Sequence, residues 1–402
     1  MQKVFIKGEH MLKRLLSLML IITVGLAPLP VSAVKYKGDL EANESLILPE
    51  QSTTPANPVS GKYKVYFKDD GTPYSLDSFG NENPIAGSGY KNYLINGGFR
   101  LWQRGTGFAS NNAYGADRWK HAYGDGAGTT SRQSFAPGQT EVPGEPHYFW
   151  RHDRTAAATA TNTVIRQRVE SVRTLAGQTA TWSFYGKCAA AKGFNLFIFQ
   201  NFGTGGSPSA QVVTGPVAFN CGTSWARHSF TFNIPSIIGK TVGSNGNDFA
   251  EIVLQESGSF STFTLDLAQV QLEKGSLATS FQVRPLGWEL VLAQRYYSKT
   301  YDLETAPGSA TSAGYAEGGV SGLTSGGHAI RVHWPFPSRM RTSPTITLYS
   351  LNGTSGMWTD GTNTDRAATP QRTGQMGTSV EVTVLSGGDA RVGGHITADA
   401  EL

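Results

Sequence analysis

The run His147-Tyr148-Phe149-Trp150-Arg151-His152-Asp153 packs aromatic rings, imidazoles, a guanidinium and a carboxylate into consecutive positions. Such a set suits recognition better than bond breaking. Aromatic faces stack on flat apolar surfaces such as the C–H faces of sugar rings, while His, Arg and Asp supply directed hydrogen bonds. The run follows a Pro/Gly-rich loop, so Trp150 and His152 are expected to be exposed ligand contacts. A second set, Tyr349, Asn352, Met357, Trp358 and Asp360, lies in or beside the turn-rich stretch Asn352-Gly353-Thr354-Ser355-Gly356. Loops at the end of a β-scaffold are where specificity usually sits. The alternative for Trp358 is a cap on a contact between subunits. Trp102, Trp119 and Trp225 extend the set of stacking candidates, whereas Trp182, alternating with Ser183 and Phe184, reads as core.

Catalytic patterns are missing from the sequence. It has no Gly-x-Ser-x-Gly elbow, no phosphate loop and no His-Glu-x-x-His. Asp69-Asp70 falls in an apparent turn, and Asp153 and Glu256 have no partner nearby in sequence. His328, His333 and His395 lack metal-ligand spacing. A binding protein rather than an enzyme is the expectation, with no cofactor.

The elements that must position these residues are strands. Of 402 residues, 39% are hydrophobic and only 16% charged, and 48 glycines and 19 prolines punctuate the whole chain. With 11% aromatics and abundant Thr, Ser and Val, this composition favours short strands and tight turns over helices. Period-2 alternation marks Thr163–Val169, Thr181–Gly186, Phe194–Asn201, Ala226–Ile234, Glu251–Gln255 and Thr262–Leu272 as strands. The glycine- and aromatic-rich Tyr93–Arg104 reads as one more. Two stacked antiparallel sheets, a jelly-roll sandwich over 91–283, accommodate them, with a closed barrel as the alternative. The fold class is therefore all-β: this sandwich, one connector helix within 284–303, and a C-terminal β-domain over 304–402. The helix is expected over Pro285–Tyr301, with Leu286, Leu290, Ala293 and Tyr297 on one stripe. The last domain takes Ala329–Trp334, Thr345–Leu351, Ser379–Leu385 and Val392–Ala398 as strands.

Upstream, 34–90 reads as an extended arm and a small β-stalk. In it Lys62–Phe67 and Tyr74–Leu76 flank the turn Asp69-Asp70-Gly71. At the N-terminus, Lys13 and Arg14 precede an apolar run from Leu15 to Leu26, then Val31-Ser32-Ala33. Residues 1–33 thus have the parts of a secretory signal and fall short of the ~20 apolar residues of a membrane span; an apolar docking peg is the alternative. The net charge of +4 is dispersed, which argues against nucleic acid as a partner. Two cysteines, Cys188 and Cys221, exclude a disulfide framework and a four-cysteine zinc site. They could pair in an oxidising compartment or stay as buried thiols.

Local wording adds a resemblance. Tyr93-Leu94-Ile95-Asn96-Gly97-Gly98-Phe99-Arg100-Leu101-Trp102-Gln103-Arg104-Gly105, followed by Ala116-Asp117-Arg118-Trp119, resembles the first strands of a domain common in tail fibres of tailed bacteriophages. Leu265-Asp266-Leu267-Ala268-Gln269-Val270-Gln271-Leu272-Glu273-Lys274-Gly275 is similar to that domain's closing strand, and Ala293-Gln294-Arg295-Tyr296-Tyr297 to the helix leaving it. Met340-Arg341-Thr342-Ser343-Pro344-Thr345 and His395–Leu402 resemble the distal tip of the same fibres. The likeness spans roughly residues 55–402. It implies a homotrimeric virion adhesin that binds a bacterial surface glycan and joins other tail proteins. Related sugar-binding sandwiches hold a structural calcium with an acidic residue after the Phe of the first strand and an Asp in the closing one. This chain has Arg100 and Asp266 there, so a calcium on Asp266 competes with an Arg100–Asp266 ion pair. Particles assemble in the cytoplasm, so the signal-like leader leaves open a fibre that keeps its apolar peg, a structural virion component, or a secreted bacterial protein.

Overall fold

A computed structural model describes residues 50–402 except 52, 69–72, 79, 81, 85–90, 160–162, 259, 324–326 and 385–387. The chain divides into two units, Met1–Gly89 and Tyr90–Leu402. In the first, β1 (Glu50–Gln51), β2 (Lys64–Lys68), β3 (Pro73–Leu76) and β4 (Glu82–Pro84) form one sheet in that order. The expected hairpin is the antiparallel β2–β3 pair, with Tyr66 opposite Tyr74 and their rings 6.1 Å apart. Its turn at Asp69–Gly71 and the leader 1–33 lie outside the described residues.

The second unit opens with a sandwich. One sheet has the order β13-β10-β15-β8-β7-β5, built from β5 (Gly107–Phe108), β7 (Ala127–Ser134), β8 (Tyr148–Ala156), β10 (Thr179–Cys188), β13 (Ala226–Asn233) and β15 (Phe263–Lys274). The other has the order β12-β11-β14-β9-β6, from β6 (Lys120–Ala122), β9 (Val164–Glu170), β11 (Lys192–Asn201), β12 (Val212–Cys221) and β14 (Phe249–Glu256). Alternate residues of each strand face the shared core: Trp182 and Phe184, Phe194, Leu196 and Ile198, Ile252 and Leu254, Leu265 and Leu267. On β15 the phase changes at a bulge, where Gln269 takes φ 49°, so that Val270 and Leu272 also point inward. A Cys188–Cys221 disulfide ties the end of β10 to the end of β12, one strand from each sheet. Closing this 33-residue separation contributes about 3–4 kcal/mol in the chain-entropy account.

Tyr93–Arg104 is not a strand, contrary to the alternation it shows. β8 pairs with β15 only over Phe263–Leu267; beyond that point residues 92–97 lie against β15 irregularly. Tyr93 N–H donates to Leu272 O at 2.8 Å, and Val270 N–H donates to Gly97 O at 2.9 Å. The Asn92 amide bridges the same stretch, to Val270 O and from Leu272 N–H. A Cβ on Gly97 would lie 2.0 Å from Val270 O, so only glycine allows this approach. Asn96 and Phe99 adopt left-handed φ of 58° and 53°, which breaks the pleat. The segment acts instead as a plug: Leu94, Phe99, Leu101 and Trp102 are buried, and the Trp102 and Trp119 indoles donate to Phe99 O and Asn96 O.

The helix is also shorter than expected. α1 spans Leu286–Gln294; Tyr297–Lys299 is already β16, paired with the final strand. Pro285 stands before the first turn, its carbonyl accepting the Trp288 and Glu289 N–H groups. The C-terminal sheet holds β17 (Ala316–Leu323), β18 (His328–Pro335), β19 (Thr345–Tyr349), β20 (Met357–Asp360), β21 (Asp365–Gln371), β22 (Gly377–Val384) and β23 (Gly388–Asp399). β23 is its hub, pairing with β16, β17, β19 and β20. Sandwich and C-terminal sheet meet across buried charges. Arg104 lies 3.7 Å over the Tyr297 ring and bonds Asp399 at 3.0 Å. Arg118 lies 3.5 Å over Tyr296 and pairs with Glu401. Lys299 Nζ donates to the carbonyls of Gln103, Leu303 and Thr305.

Candidate functional site

β8 runs through the middle of the six-stranded sheet and presents two unlike faces. Trp150, His152 and Arg154 point inward and are buried. Trp150 packs between the rings of Phe99, Trp102 and Trp119, at 5.6–6.2 Å between centroids. His152 Nδ1 shares a hydrogen bond with the Thr130 hydroxyl at 3.0 Å. Burial, then the charges of His121 and Arg154, pushes the His152 imidazole down to about 3. Trp150 and His152 therefore do not meet a ligand: the phase of the strand puts both in the core. Further along the strand, Arg154 pairs with Glu256, which is also ion-paired with Lys192 at 2.9 Å.

The C-terminal candidates do not converge either. Trp358 is fully buried, its indole seated against Gly394, where a Cβ would come within 2.4 Å of the ring. Asp360 closes its own turn by accepting the Thr362 and Thr364 N–H groups, the Thr362 hydroxyl and Arg366. Burial works to raise its carboxyl, but these bonds outweigh it and hold the group well below the usual carboxylate range. Tyr349 is half-buried with its ring 6.1 Å from Tyr301. Asn352 is exposed, but its amide is tied to Asp365 at 3.0 Å.

Asp266 settles the ion question differently from either expectation. Arg151 grips it with two bonds, Nε to Oδ1 at 2.7 Å and Nη2 to Oδ2 at 2.8 Å. With both oxygens held by a guanidinium, the residues present do not fit a calcium ion. Arg100 lines a separate small groove with Gly98, Phe281 and Val283.

The outward face of the same sheet has the better geometry. Phe149, Arg151 and Asp153 alternate with the buried residues of β8 and are half-exposed. In register beside them are Asp266 and Thr264 of β15, then Lys187 of β10. The Thr264 hydroxyl donates to Asp153 at 2.5 Å. Phe149, Phe135 and Trp225 form an aromatic trio with centroids 4.8–5.4 Å apart. Trp225 immediately precedes β13, three strand spacings from β8, or roughly 14 Å of backbone. Its indole must therefore reach across the face. At the far end, beyond Asp153 and Thr264, a cavity of about 490 Å³ opens between Ala189–Lys192 and Ser261–Thr264.

The other half of this face is closed by the chain itself. After β15, Ser276–Gln282 folds back: Thr279 donates to Glu273 through its N–H and its hydroxyl, and Arg227 donates to the Ala278 and Thr279 carbonyls. That strap buries Thr181, Ser183, Gln271 and Glu273. What stays open is the part of the face that carries the aromatic trio, the Arg151–Asp266–Lys187 row and the Asp153–Thr264 pair. Of the stacking candidates in the sequence, Trp225 is the one this face takes up, and Phe149, not its neighbour Trp150, is the ring of the 147–153 run that meets it.

The fold defines an all-β protein with a two-sheet sandwich and an appended β-sheet domain. No family model matches the chain, and no curated protein matches it. Among solved structures, the chain is similar to the N-terminal cellulose-binding domain of Cellulomonas fimi β-1,4-glucanase C, at 14% identity, over 44% of this chain and 98% of that one, with a TM-score of 0.29. It is similar to the CBM22-1 xylan-binding domain of Paenibacillus barcinonensis Xyn10C, at 10% identity over 48% and 100%, TM-score 0.28. It is also similar to the enzymatically active domain of bacteriophage CBA120 tailspike protein 4, at 12% identity over 46% of this chain, TM-score 0.29. The chain spans only 22% of that tailspike domain.

Proposed function

We propose that this protein is a non-enzymatic adhesin, a tail-fibre subunit of a tailed bacteriophage that binds bacterial surface glycans through the outward face of its six-stranded sheet. The observation that carries the reading is the half-exposed trio Phe135, Phe149 and Trp225 beside a row of hydrogen-bonding side chains. Rings give sugars a stacking surface, and the Arg151, Lys187 and Asp153 heads meet hydroxyl groups. Between Phe149 and Asp153 the strand advances about 13 Å, enough for two or three sugar units. The carboxylates here are already engaged, Asp266 by Arg151 and Asp153 by Thr264, which favours holding a glycan over cleaving it. The ordered motifs from Tyr93 to Leu402 support the tail-fibre role, a homotrimer and partners within the virion. Replacing Trp225 or Phe149 by alanine should weaken binding on a bacterial glycan array or in calorimetry by roughly tenfold. A glycan that binds both variants as tightly as wild type would place the site elsewhere.

A second reading, a secreted bacterial carbohydrate-binding protein, is favoured by the Cys188–Cys221 disulfide, because such bonds persist mainly in oxidising compartments. Mass spectrometry of the mature N-terminus separates the two. A chain beginning at Val34 supports export, and an intact N-terminus in purified particles supports the virion.

A further inference from the structure

Lys187 is the cation of the outward face that the protein itself leaves unused. It stands on β10 opposite Asp266 of β15, a placement in which a cross-strand pair of opposite charges is favourable. Asp266 is buried, however, and Arg151 on the next strand, β8, holds both its oxygens. Two cations thus flank one carboxylate, and that carboxylate is already taken. The neighbouring cations are engaged as well: Arg227 donates to the Ala278 and Thr279 carbonyls, and Lys192 pairs with Glu256. Lys187 is half-buried, and among the described residues its ammonium has neither a hydrogen-bond acceptor nor a carboxylate partner.

The surroundings of Lys187 favour one kind of occupant. The ammonium brings three N–H donors, and the Arg151 guanidinium keeps those it does not give to Asp266. Against these donors stands one further carboxylate, Asp153, which already accepts the Thr264 hydroxyl. A sugar hydroxyl placed here would accept a bond and find little to donate to in return. A carboxylate or a phosphodiester only accepts, and bonds to it from a cation are roughly twice as strong as bonds between neutral groups. The aromatic trio lies next to this row. Ala226 stands opposite Gly186, so Trp225 comes level with Lys187. Phe149 precedes Arg151 on β8 by two residues, about 7 Å of strand. A sugar ring stacked on Trp225 and Phe149 therefore carries its substituents toward the two cations.

We propose that the glycan held on this face is acidic, with a carboxylate or phosphodiester lying over Lys187 and Arg151 while a neighbouring sugar ring stacks on Trp225 and Phe149. The charge requirement rests on the glycan reading of this face, and the two can fail separately. The test is a bacterial glycan array holding acidic and neutral polysaccharides, probed with the full chain and with its Lys187→Gln and Lys187→Arg variants. Acidic glycans should give the strongest signals. Glutamine keeps N–H donors and loses the charge, so Lys187→Gln should weaken those signals roughly tenfold; Lys187→Arg, which keeps the charge, should retain most of them. Raising salt from about 0.05 to about 0.5 M should weaken wild type several-fold and Lys187→Gln less. An unchanged urea midpoint shows that each variant is folded, as expected for a side chain without a partner. Reducing the bound glycan's carboxylates to alcohols should remove its advantage; a signal that survives reduction but is lost on cleaving phosphodiesters assigns the anion to phosphate. A signal that survives both treatments would overturn the acidic ligand. So would strongest binding to neutral glycans, or acidic binding that Lys187→Gln leaves intact, and in each case the glycan face would still stand. Signals indifferent to Trp225→Ala and Phe149→Ala would instead sink the glycan reading of this face, and the charge requirement with it.

Discussion

The two faces of β8 use nearly the same chemistry for opposite ends. Inward lie Trp150, His152 and Arg154; outward lie Phe149, Arg151 and Asp153. Each face has an aromatic ring, an arginine and a further ionisable group, yet one set is buried and the other is half-exposed. The difference lies in what each group meets. Trp150 meets other rings, His152 meets Thr130, and Arg154 meets Glu256, so every inward group is held by the protein. Phe149 shares its ring contacts with Trp225 from a distant turn, and Lys187 stands beside the Arg151–Asp266 pair at the edge of solvent. A single-residue shift of register would exchange the two sets. Residue type alone therefore says little about which aromatic residues bind.

Removing a ring from each face should make the contrast largest. Trp150→Ala leaves a cavity among Phe99, Trp102 and Trp119, and should cost about 3–5 kcal/mol. In chemical denaturation that appears as a strongly lowered midpoint with the same slope. Phe149→Ala, one position away, should cost about 1 kcal/mol, the worth of its contacts with Phe135 and Trp225. Equal losses at the two positions would show that the trio is a second core rather than a ligand platform.

The same ambiguity explains what could be read from the sequence. Strands with one clearly apolar phase are legible: Thr181–Gly186 and Phe194–Asn201 lie inside β10 and β11, and Thr262–Leu272 falls in β15 from its second residue on. β7, whose sequence is AGTTSRQS, has no apolar phase to detect. β12 is interrupted by Gly215-Pro216, tolerable because it is an edge strand. Tyr93–Arg104 alternates like a strand, but Asn96 and Phe99 turn left-handed to let Gly97 approach Val270. Short-range patterning cannot report that approach, because the partner lies far along the chain. The helical stripe runs past Gln294 because Tyr297 fits it, while the backbone of Tyr297 is claimed by β23. Trp150, His152 and Trp358 read as outward for a similar reason: each is polar-tipped or large and sits near turns. Their burial depends on Thr130, Trp119 and Gly394, all distant in sequence. Trp225 is a stacking candidate in the sequence, but its partnership with Phe149 follows only from the sheet order, which brings β13 and β8 onto one face.

The inward face should also give itself away through pH. His121 and His152 lie with ring centroids 5.7 Å apart. Burial pushes the His121 imidazole down to about 4, opposed by its bond to Ser110 O, and burial with the His121 and Arg154 charges takes His152 to about 3. In the unfolded chain both titrate near 6.5. Below that value the unfolded chain takes up protons that the folded protein refuses, so stability falls as pH drops and is unaffected by this pair above it. Each histidine should cost about 1.4 kcal/mol per pH unit between 6.5 and its folded value. Unfolding free energies from urea titrations at pH 7.5 and 5.5 should therefore differ by about 2–3 kcal/mol from this pair. The outward face has no group of this kind, so glycan binding by protein that remains folded should change little over the same range. Folding stability that holds constant from pH 7.5 to 5.5 would mean that at least one of these rings is reached by water. The division between an inward and an outward face of β8 would then fail at that position.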